Sequence, residues 1–215
     1  MAEEHYIGVD LGGTKILAGV FDSGHNCLFT DKNKTKAELG YDGVIARIVE
    51  TIRGASHLTC IDVANCKGVG IGAPGTISAD GSTVLFAPNL DWRDVPLKAD
   101  LEAELGCPVW LGNDCSVAAM GIHRSEFESK PRDMVSIFLG TGIGAGIITN
   151  GAFLSGATQA AGEVGHMVLD PDGPVCGCGT KGCYEALASR TAIFNKVKAA
   201  VEAGEKTLLF EPESG

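Results

Sequence analysis

Two apolar segments of the chain each end in a turn of glycine and threonine, and this pair of turns constrains the fold more than any other feature. Tyr6–Val9 leads into Asp10-Leu-Gly-Gly-Thr14, and Asp133–Leu139 leads into Gly140-Thr-Gly142. Glycine leaves backbone N–H groups accessible and threonine adds a hydroxyl donor, so a turn of this kind can bind phosphate oxygens. One such turn at the start of each half of the chain predicts a nucleotide held between two lobes.

Each turn also has another interpretation. Asp10 is placed to ligate a hydrated Mg²⁺, but taken alone its turn is more typical of a plain hairpin. The second turn matches half of a dinucleotide-binding fingerprint, which requires a helix directly after it. The β-branched segment Ile147-Ile-Thr149 follows instead, and it favours an extended chain. The Gly-x-x-x-x-Gly-Lys-Ser/Thr pattern of a P-loop does not occur in the sequence.

Strand-like and helix-like segments are mixed along the chain, which predicts an α/β fold. Strands are expected over six segments: residues 6–9, 16–21, 67–73, 109–111, 133–139 and 147–149. A glycine loop is expected over residues 140–146. Apolar residues at helical spacing predict helices over residues 42–56, from Pro96 to Gly106, after Asp114, and over residues 185–203.

Composition narrows the classes of function. The chain has 17 lysines and arginines against 27 aspartates and glutamates, and its net charge of −10 disfavours binding to nucleic acid or to an anionic membrane. No apolar run is long enough for a transmembrane helix, and the acidic N-terminus lacks the pattern of a signal peptide. We therefore expect a cytoplasmic protein.

Three of the eight cysteines are clustered. Cys176, Cys178 and Cys183 lie in a glycine-rich stretch, and His166 precedes them. In a reducing compartment such a cluster indicates a metal or catalytic site before it indicates disulfides. Three thiolates and one imidazole suit tetrahedral Zn²⁺, and a site filled by four protein ligands is structural. The alternative is a glycine loop with unligated cysteines.

Two glutamates flank this cluster. Glu163 precedes His166 by three residues, and Glu185 follows Cys183 by two. A metal loop could fix both carboxylates toward one cleft, where they would accept hydrogen bonds from hydroxyl groups. Taken alone, either glutamate is more typical of a solvated surface.

Together these motifs resemble the ROK family of sugar kinases and sugar-responsive repressors, and the resemblance covers essentially the whole chain. The motifs that carry it are Asp10-Leu-Gly-Gly-Thr-Lys15, Gly72-Ala-Pro-Gly75, Pro88-Asn-Leu-Asp-Trp92, Asn113-Asp114, Leu139-Gly-Thr-Gly-Ile-Gly144, Ala161-Gly-Glu-Val-Gly-His166 and Cys176-Gly-Cys-Gly-Thr-Lys-Gly-Cys-Tyr-Glu185. The last two, at their mutual spacing, are the most specific.

The resemblance implies an actin/hexokinase-like fold of two lobes and ATP-dependent phosphorylation of a hexose on its 6-hydroxyl, with Mg²⁺ on the ATP. It implies that Asp114 is the catalytic base, although an aspartate there could instead cap the following helix. The implied sugar-binding residues are Gly75, Asn89, Asn113, Glu163, His166 and Glu185. The implied phosphate-binding residues are Asp10, Gly12, Gly13, Thr14, Lys15, Gly140, Thr141 and Gly142. The implied zinc ligands are His166, Cys176, Cys178 and Cys183.

Within the family the resemblance is strongest to kinases that act on glucose, because of Thr76 and the Asn-Leu-Asp-Trp segment. We therefore expect glucose 6-phosphate as the product. The alternatives are an N-acetylmannosamine kinase, a fructokinase, or a non-catalytic sugar-binding regulator. Repressors of the family carry a helix-turn-helix domain before the first turn, and that turn begins here at Asp10, which favours a kinase.

The resemblance also implies a division of the chain. Residues 1–115 are expected to form the N-terminal lobe, and residues 116–215 part of the C-terminal lobe. Family members normally continue beyond residue 215, so we expect an incomplete second lobe, and a homodimer in the full-length form. Two positions depart from the family pattern, Ser116 in place of an asparagine and Gln159 in place of a glycine.

Overall fold

The computed structural model describes residues 4–157 and 159–209, which form a mixed α/β structure. The strands are β1 (Tyr6–Leu11), β2 (Lys15–Phe21), β3 (Cys27–Lys34), β4 (Gly68–Ala73), β5 (Thr76–Ile77), β6 (Val84–Ala87), β7 (Trp92–Val95), β8 (Val109–Asn113), β9 (Met134–Leu139), β10 (Ile143–Thr149) and β11 (Ala152–Phe153). The α-helices are α1 (Gly40–Thr59), α2 (Leu97–Leu105), α3 (Asp114–Ser125), α4 (Tyr184–Ala188) and α5 (Arg190–Glu202).

The largest sheet has five strands in the order β3-β2-β1-β4-β8. The hairpins β1–β2 and β2–β3 are antiparallel, whereas β1, β4 and β8 run parallel. The carboxyl ends of these three parallel strands therefore meet at one edge of the sheet. At that edge Asp10 lies opposite Gly72, and Gly72 lies opposite Gly112.

The main hydrophobic core forms between this sheet and α1. Residues alternate in β1, so that Ile7, Val9 and Leu11 all face the interior. Helix α1 packs against β2 and β3 and buries Ile48 and Ile52, four residues apart, completely. This cluster of buried residues extends from Ile7 to Val109 and anchors the edge that carries Asp10.

Two smaller antiparallel sheets complete the structure, in the orders β5-β6-β7 and β11-β10-β9. Strand β9 alternates between half-buried and exposed positions, and Val135, Ile137 and Leu139 are each at least 50% exposed. Helix α5 has no fully buried residue among those described. The chain after β8 therefore buries far less apolar surface than the chain before it.

The predicted α/β class is confirmed, and two predicted elements are corrected. The glycine loop ends at Gly142, because β10 begins at Ile143 and pairs with β9 through Gly144 and Gly146. The helix predicted over residues 185–203 is two helices, since the Ser189 hydroxyl accepts a hydrogen bond from the backbone N–H of Ala192 and starts α5 anew.

Strands β3, β5, β6 and β7 were not predicted from the sequence. The expected division between residues 115 and 116 stays a prediction, and residues 210–215 of its second part lie outside the described residues. Within the described ranges, no helix combines the length and apolar character that crossing a membrane requires.

Candidate active site

Helix α3 starts directly over the edge of the large sheet because two strands have glycine there. A Cβ on Gly112 would lie 2.5 Å from the Val117 side chain, and one on Gly72 would lie 2.8 Å from it. Any larger residue at either position would push α3 away from the sheet. The two glycines therefore bring the first turn of α3, and Asp114 with it, close to the end of β1.

Asn113, and not Asp114, caps α3. The Asn113 Oδ1 atom accepts hydrogen bonds from the backbone N–H and the hydroxyl of Ser116, at 3.0 and 3.2 Å. Its Nδ2 donates to the Gly75 carbonyl at 3.1 Å and to Asp114 Oδ1 at 3.0 Å. The Cys115 N–H also donates to Asp114 Oδ1, at 2.7 Å. These contacts fix one oxygen of Asp114 and leave Oδ2 for a ligand.

Asp10, Asp114 and the half-buried Cys115 line the same cleft. Burial raises the pKa of Cys115 to about 12, and the charges of Asp114, Glu163 and Asp10 add to this shift. Burial raises the pKa of Asp10 as well, with the charge of Asp114 adding to it and that of Lys15 opposing it. The predicted base and the predicted Mg²⁺ ligand therefore share one acidic cleft, and the charge of Glu163, a predicted sugar ligand, adds to the raised pKa of Cys115.

Two turns are predicted to bind phosphate, and we call residues 12–15 the first phosphate turn and residues 140–142 the second. Hydrogen bonds close the first phosphate turn, and Asn89, a predicted sugar-binding residue, packs against it. The Gly12 N–H donates to the Lys15 carbonyl at 2.9 Å, and the Thr35 hydroxyl donates to the Gly12 carbonyl at 2.6 Å. A Cβ on Gly13 would lie 3.2 Å from the Cβ of Asn89. Thr14 and Lys15 remain exposed at the tip of the turn.

The second phosphate turn is held by the start of α4 and α5. The Ile143 N–H donates to Glu185 Oε2 at 2.8 Å, and a Cβ on Gly142 would overlap this carboxylate. The Arg190 N–H donates to the Gly140 carbonyl at 3.1 Å, and the Thr191 hydroxyl donates to the Thr141 carbonyl at 2.8 Å. Within the described ranges, no hydrogen bond joins this turn to the first one.

His166, Cys176, Cys178 and Cys183 converge as their spacing predicted. Their four candidate ligand atoms all lie within 4.8 Å of one another. Cys176 Sγ is 3.7 Å from His166 Nδ1, and Cys178 Sγ is 3.7 Å from Cys183 Sγ. Thiolates bound to Zn²⁺ at about 2.3 Å in a tetrahedron are themselves about 3.8 Å apart, so the cluster has the dimensions of a four-coordinate zinc site.

The cluster is linked to the second phosphate turn. Cys176 Sγ lies 3.8 Å from Glu185 Oε1, whose partner oxygen accepts from Ile143. Hydrogen bonds from Thr180 lower the pKa of Cys178, whereas burial raises the pKa of the neighbouring Cys183, so the two thiols differ in how readily they ionise. Glu185 was predicted to bind sugar, and in this structure its carboxylate connects the Cys–His cluster to the second phosphate turn.

Strand β10 has glycine at two positions where the Cys115 and Ala119 side chains of α3 pack against it. A Cβ on Gly144 would overlap Cys115 Sγ, and a Cβ on Gly146 would overlap the Cβ of Ala119. Because β10 follows the second phosphate turn directly, this contact sets the distance between that turn and the helix that carries Asp114. An open cleft of about 520 Å³ lies alongside, with Asp10, Asp114 and Phe138 among its lining residues.

Sequence reasoning missed three residues of this site. Cys115 gave no signal beyond its place after Asp114. Arg190 and Thr191 lie about 50 residues from the turn that they contact, so only the fold joins them to it. Ser189 is a typical helix-capping residue, and it is the local signal that a new helix, the one with Arg190 and Thr191 in its first turn, begins there.

Comparison with known proteins identifies the family. A model of the ROK family matches residues 6–211. A glucokinase from Streptomyces coelicolor is 41% identical over 199 residues, which are 92% of this chain and 60% of that protein. A putative xylose repressor from a Caldicellulosiruptor species is 42% identical over 137 residues, which are 64% of this chain and 34% of that protein.

Solved structures agree. The crystal structure of a ROK family glucokinase from Streptomyces griseus in complex with glucose and AMPPNP is 41% identical, with a TM-score of 0.82 over 93% of this chain and 62% of that one. This likeness confirms the expected actin/hexokinase-like fold. The chain spans about three fifths of the length of these two glucokinases. On the family match and these identities, the chain belongs to the ROK family.

Proposed function

We propose that the protein to which this chain belongs phosphorylates a hexose with ATP, and that the hexose is glucose. The observation that carries the proposal is the position of Asp114, one oxygen fixed by Asn113 and Cys115, at the same sheet edge as Asp10. The likeness to a glucokinase that binds glucose and AMPPNP supports both substrates.

In the proposed reaction Asp114 accepts the proton of the sugar 6-hydroxyl while that oxygen attacks the terminal phosphorus of ATP. The new O–P bond forms as the bond between the β- and γ-phosphates breaks, and ADP leaves. Asp10 would hold Mg²⁺, which neutralises charge on the transferring phosphate. The glycine turns at residues 12–14 and 140–142 offer backbone N–H groups to the phosphates.

The sugar-binding set stays part of the proposal. Glu163 lies close enough to Cys115 to raise its pKa, and Asn89 packs against the first phosphate turn, so both border the acidic site. A pocket that pairs each sugar hydroxyl discriminates strongly between sugars, because an absent hydroxyl leaves a buried polar group unpaired. Asn113 and Gly75 already bond each other, so their contribution is to shape the pocket.

The proposal also assigns structural Zn²⁺ to the cluster of His166, Cys176, Cys178 and Cys183. The support is the spacing of their ligand atoms, which matches a tetrahedral site. Bound there, the ion would fix the loop that ends at α4 and hence the position of Glu185. With four protein ligands it would take no part in the chemistry.

Asp114→Asn tests the proposed reaction. Asparagine keeps the shape and the hydrogen bond at Oδ1 but cannot accept the proton, and loss of a general base typically lowers the rate by about 10²–10⁴-fold. We expect kcat for glucose-dependent ADP release to fall by that factor, while the calorimetric Kd for glucose changes little. Asp42→Asn, at the equivalent first turn of α1, is the matched control.

Because Asn113 caps α3, helix capping cannot account for a loss of rate in Asp114→Asn. Retention of full kcat by this variant would remove Asp114 from the mechanism. A second candidate, a sugar-responsive regulator, is favoured by the likeness to the putative xylose repressor. Glucose binding without any glucose-dependent ADP release would support that candidate.

A further inference from the structure

The two phosphate turns differ in charge. The first, Gly12-Gly-Thr-Lys15, includes its own cation, whereas Gly140-Thr-Gly142 has none. A cation reaches the second turn from α5, since Arg190 Nη2 donates to Thr141 Oγ1 at 3.4 Å. The fold therefore places the positive charge of Arg190 beside a turn that has no charged residue of its own.

The start of α5 binds two carbonyl groups of the second turn, the Gly142 carbonyl accepts from the Gly140 N–H within the turn, and two N–H groups are left available. The Gly140 carbonyl accepts from the Arg190 N–H, and the Thr141 carbonyl accepts from the Thr191 hydroxyl. The backbone N–H groups of Thr141 and Gly142 have no acceptor within the described ranges. With its carbonyls bound, the turn offers two N–H groups to an anion beside the Arg190 guanidinium, whereas the Glu185 carboxylate occupies its Gly142 side.

Arg190 itself lacks a counter-ion in the described part of the chain. None of the ion pairs there includes it, although acidic residues outnumber basic ones by ten in the sequence. A guanidinium has five N–H donors and stays charged at any physiological pH. One donor is used by Thr141, and the exposed remainder can bind phosphate oxygens beside the turn.

We propose that Arg190 is a binding residue for the phosphoryl donor, and that it contacts the polyphosphate of ATP together with the N–H groups of Thr141 and Gly142. This inference rests on the proposed function, which it extends by a residue for the donor site. Within the described ranges, Arg190 bonds Gly140 and Thr141 of the phosphate turn and forms no hydrogen bond with a predicted sugar-binding residue, so we expect its loss to affect the nucleotide more than the sugar.

The test compares Arg190→Gln and Arg190→Lys with two controls. Lys196→Gln removes another exposed cation of the same helix, one that donates to the Leu187 carbonyl. Thr191→Val removes a contact to the turn without removing charge. For each variant, calorimetry gives the Kd for MgATP and for glucose, steady-state kinetics gives both KM values, and thermal unfolding gives Tm.

We expect Arg190→Gln to raise the Kd and KM for MgATP about tenfold, as for loss of one exposed charge-assisted contact. We expect the glucose values to stay within about twofold, since within the described ranges Arg190 forms no hydrogen bond with a predicted sugar-binding residue. Arg190→Lys, which keeps the charge, restores part of the affinity, and added salt weakens MgATP binding less in Arg190→Gln than in the wild type. Lys196→Gln behaves as the wild type.

Three results would overturn the inference: unchanged MgATP affinity in Arg190→Gln, an equal loss for glucose and MgATP with a lowered Tm, or a wild-type chain that does not bind MgATP. The proposed function fails separately. If the wild type binds MgATP in an Arg190-dependent way but releases no ADP with any hexose, the donor site stands and the kinase proposal falls.

Discussion

The chain before α3 and the chain after it are stabilised in different ways. In the first region, residues 4–113, one cluster of buried apolar side chains joins the five-stranded sheet to α1 and α2. In the second region, residues 134–209, β9 leaves Ile137 half exposed and α5 buries no residue completely. Its helices are joined to the turn at residues 140–142 by a hydrogen bond that Glu185 accepts from Ile143 and one that Arg190 donates to Gly140.

This contrast indicates which region can fold by itself. Burial of apolar area is the dominant favourable contribution to folding, and the first region has most of it. The second region depends on polar contacts, which contribute about 1 kcal/mol each, and on whatever binds the cluster of one histidine and three cysteines. Among the described residues, the turn at residues 140–142 therefore lies in the region that buries less apolar surface.

Metal removal is expected to have the largest effect and to act on one region alone. Since a structural metal contributes folding free energy directly, chelation should raise the rate of proteolysis within residues 159–209 about tenfold or more. Residues 4–113 should stay resistant. Mass spectrometry of the fragments, with zinc content measured before and after chelation, checks this.

Cysteine variants give the matched comparison for that experiment. Cys178→Ala removes an exposed ligand of the cluster and should reproduce the effect of chelation, whereas Cys27→Ala, an exposed cysteine of β3, should not. Protein purified without chelator that contains no zinc, or cleavage spread evenly over both regions, would contradict the assignment.

The same substitution at two isoleucines should give unequal losses of stability. Ile48 of α1 is completely buried, and Ile48→Ala should cost about 2–5 kcal/mol through lost burial and the cavity left behind. Ile137 of β9 is 50% exposed, and Ile137→Ala should cost less than about 1 kcal/mol. Urea unfolding followed by circular dichroism measures both. Equal losses would mean that the exposed face of β9 is covered in solution.

The smallest expected effect concerns the acidic site within the first region. Burial and the charge of Asp114 raise the pKa of Asp10, so the folded chain holds that proton more tightly than the unfolded chain does. Stability is therefore lost as the pH rises from about 4 through the raised pKa. Asp10→Asn should be more stable than the wild type at neutral pH, and this advantage should shrink as the pH falls below that window.

The pKa of Asp80 is shifted in the opposite direction to that of Asp10, so Asp80 serves as the control. Hydrogen bonds from Ser78 and Ser82 lower the pKa of Asp80, so its contribution is present above the unfolded pKa and is lost as the pH falls through the lowered value. Asp80→Asn should therefore be slightly less stable than the wild type at neutral pH. Thermal unfolding midpoints measured from pH 3 to pH 8 compare the variants, and a parallel shift in both would refute the assignment for Asp10.

Local signals account for the parts of the fold and site that the sequence predicted. The apolar run of β1, the glycine turn after it and the Cys–His spacing are each readable within about twenty residues. The cap of α3 shows the limit: Asn113 and Asp114 are both good capping residues, and only the structure assigns the role to Asn113. The predicted cytoplasmic location and homodimer stay predictions.

Contacts between distant segments account for what the sequence did not predict. The predicted glycine loop is longer than the observed one because glycine favours loops. Gly144 and Gly146 lie instead in a strand, where the packing of α3 requires small residues. The contact between Arg190 and Thr141 could not be predicted from the sequence, since the two residues are far apart in the chain and share no motif. Tertiary packing determines both the strand at Gly144 and Gly146 and the position of Arg190, and the propensities of local sequence carry no information about that packing.

The approach of α3 to β10 has a consequence for protein engineering. Gly144 and Gly146 meet Cys115 and Ala119 with no room for an added methyl group. A variant library that randomises these four positions separately will mostly return variants in which α3 and β10 are misaligned, because each added carbon shifts helix and strand apart. Libraries that exchange the four positions together, keeping their combined volume, are the practical route to altering how α3 is aligned with β10 and the turn before it.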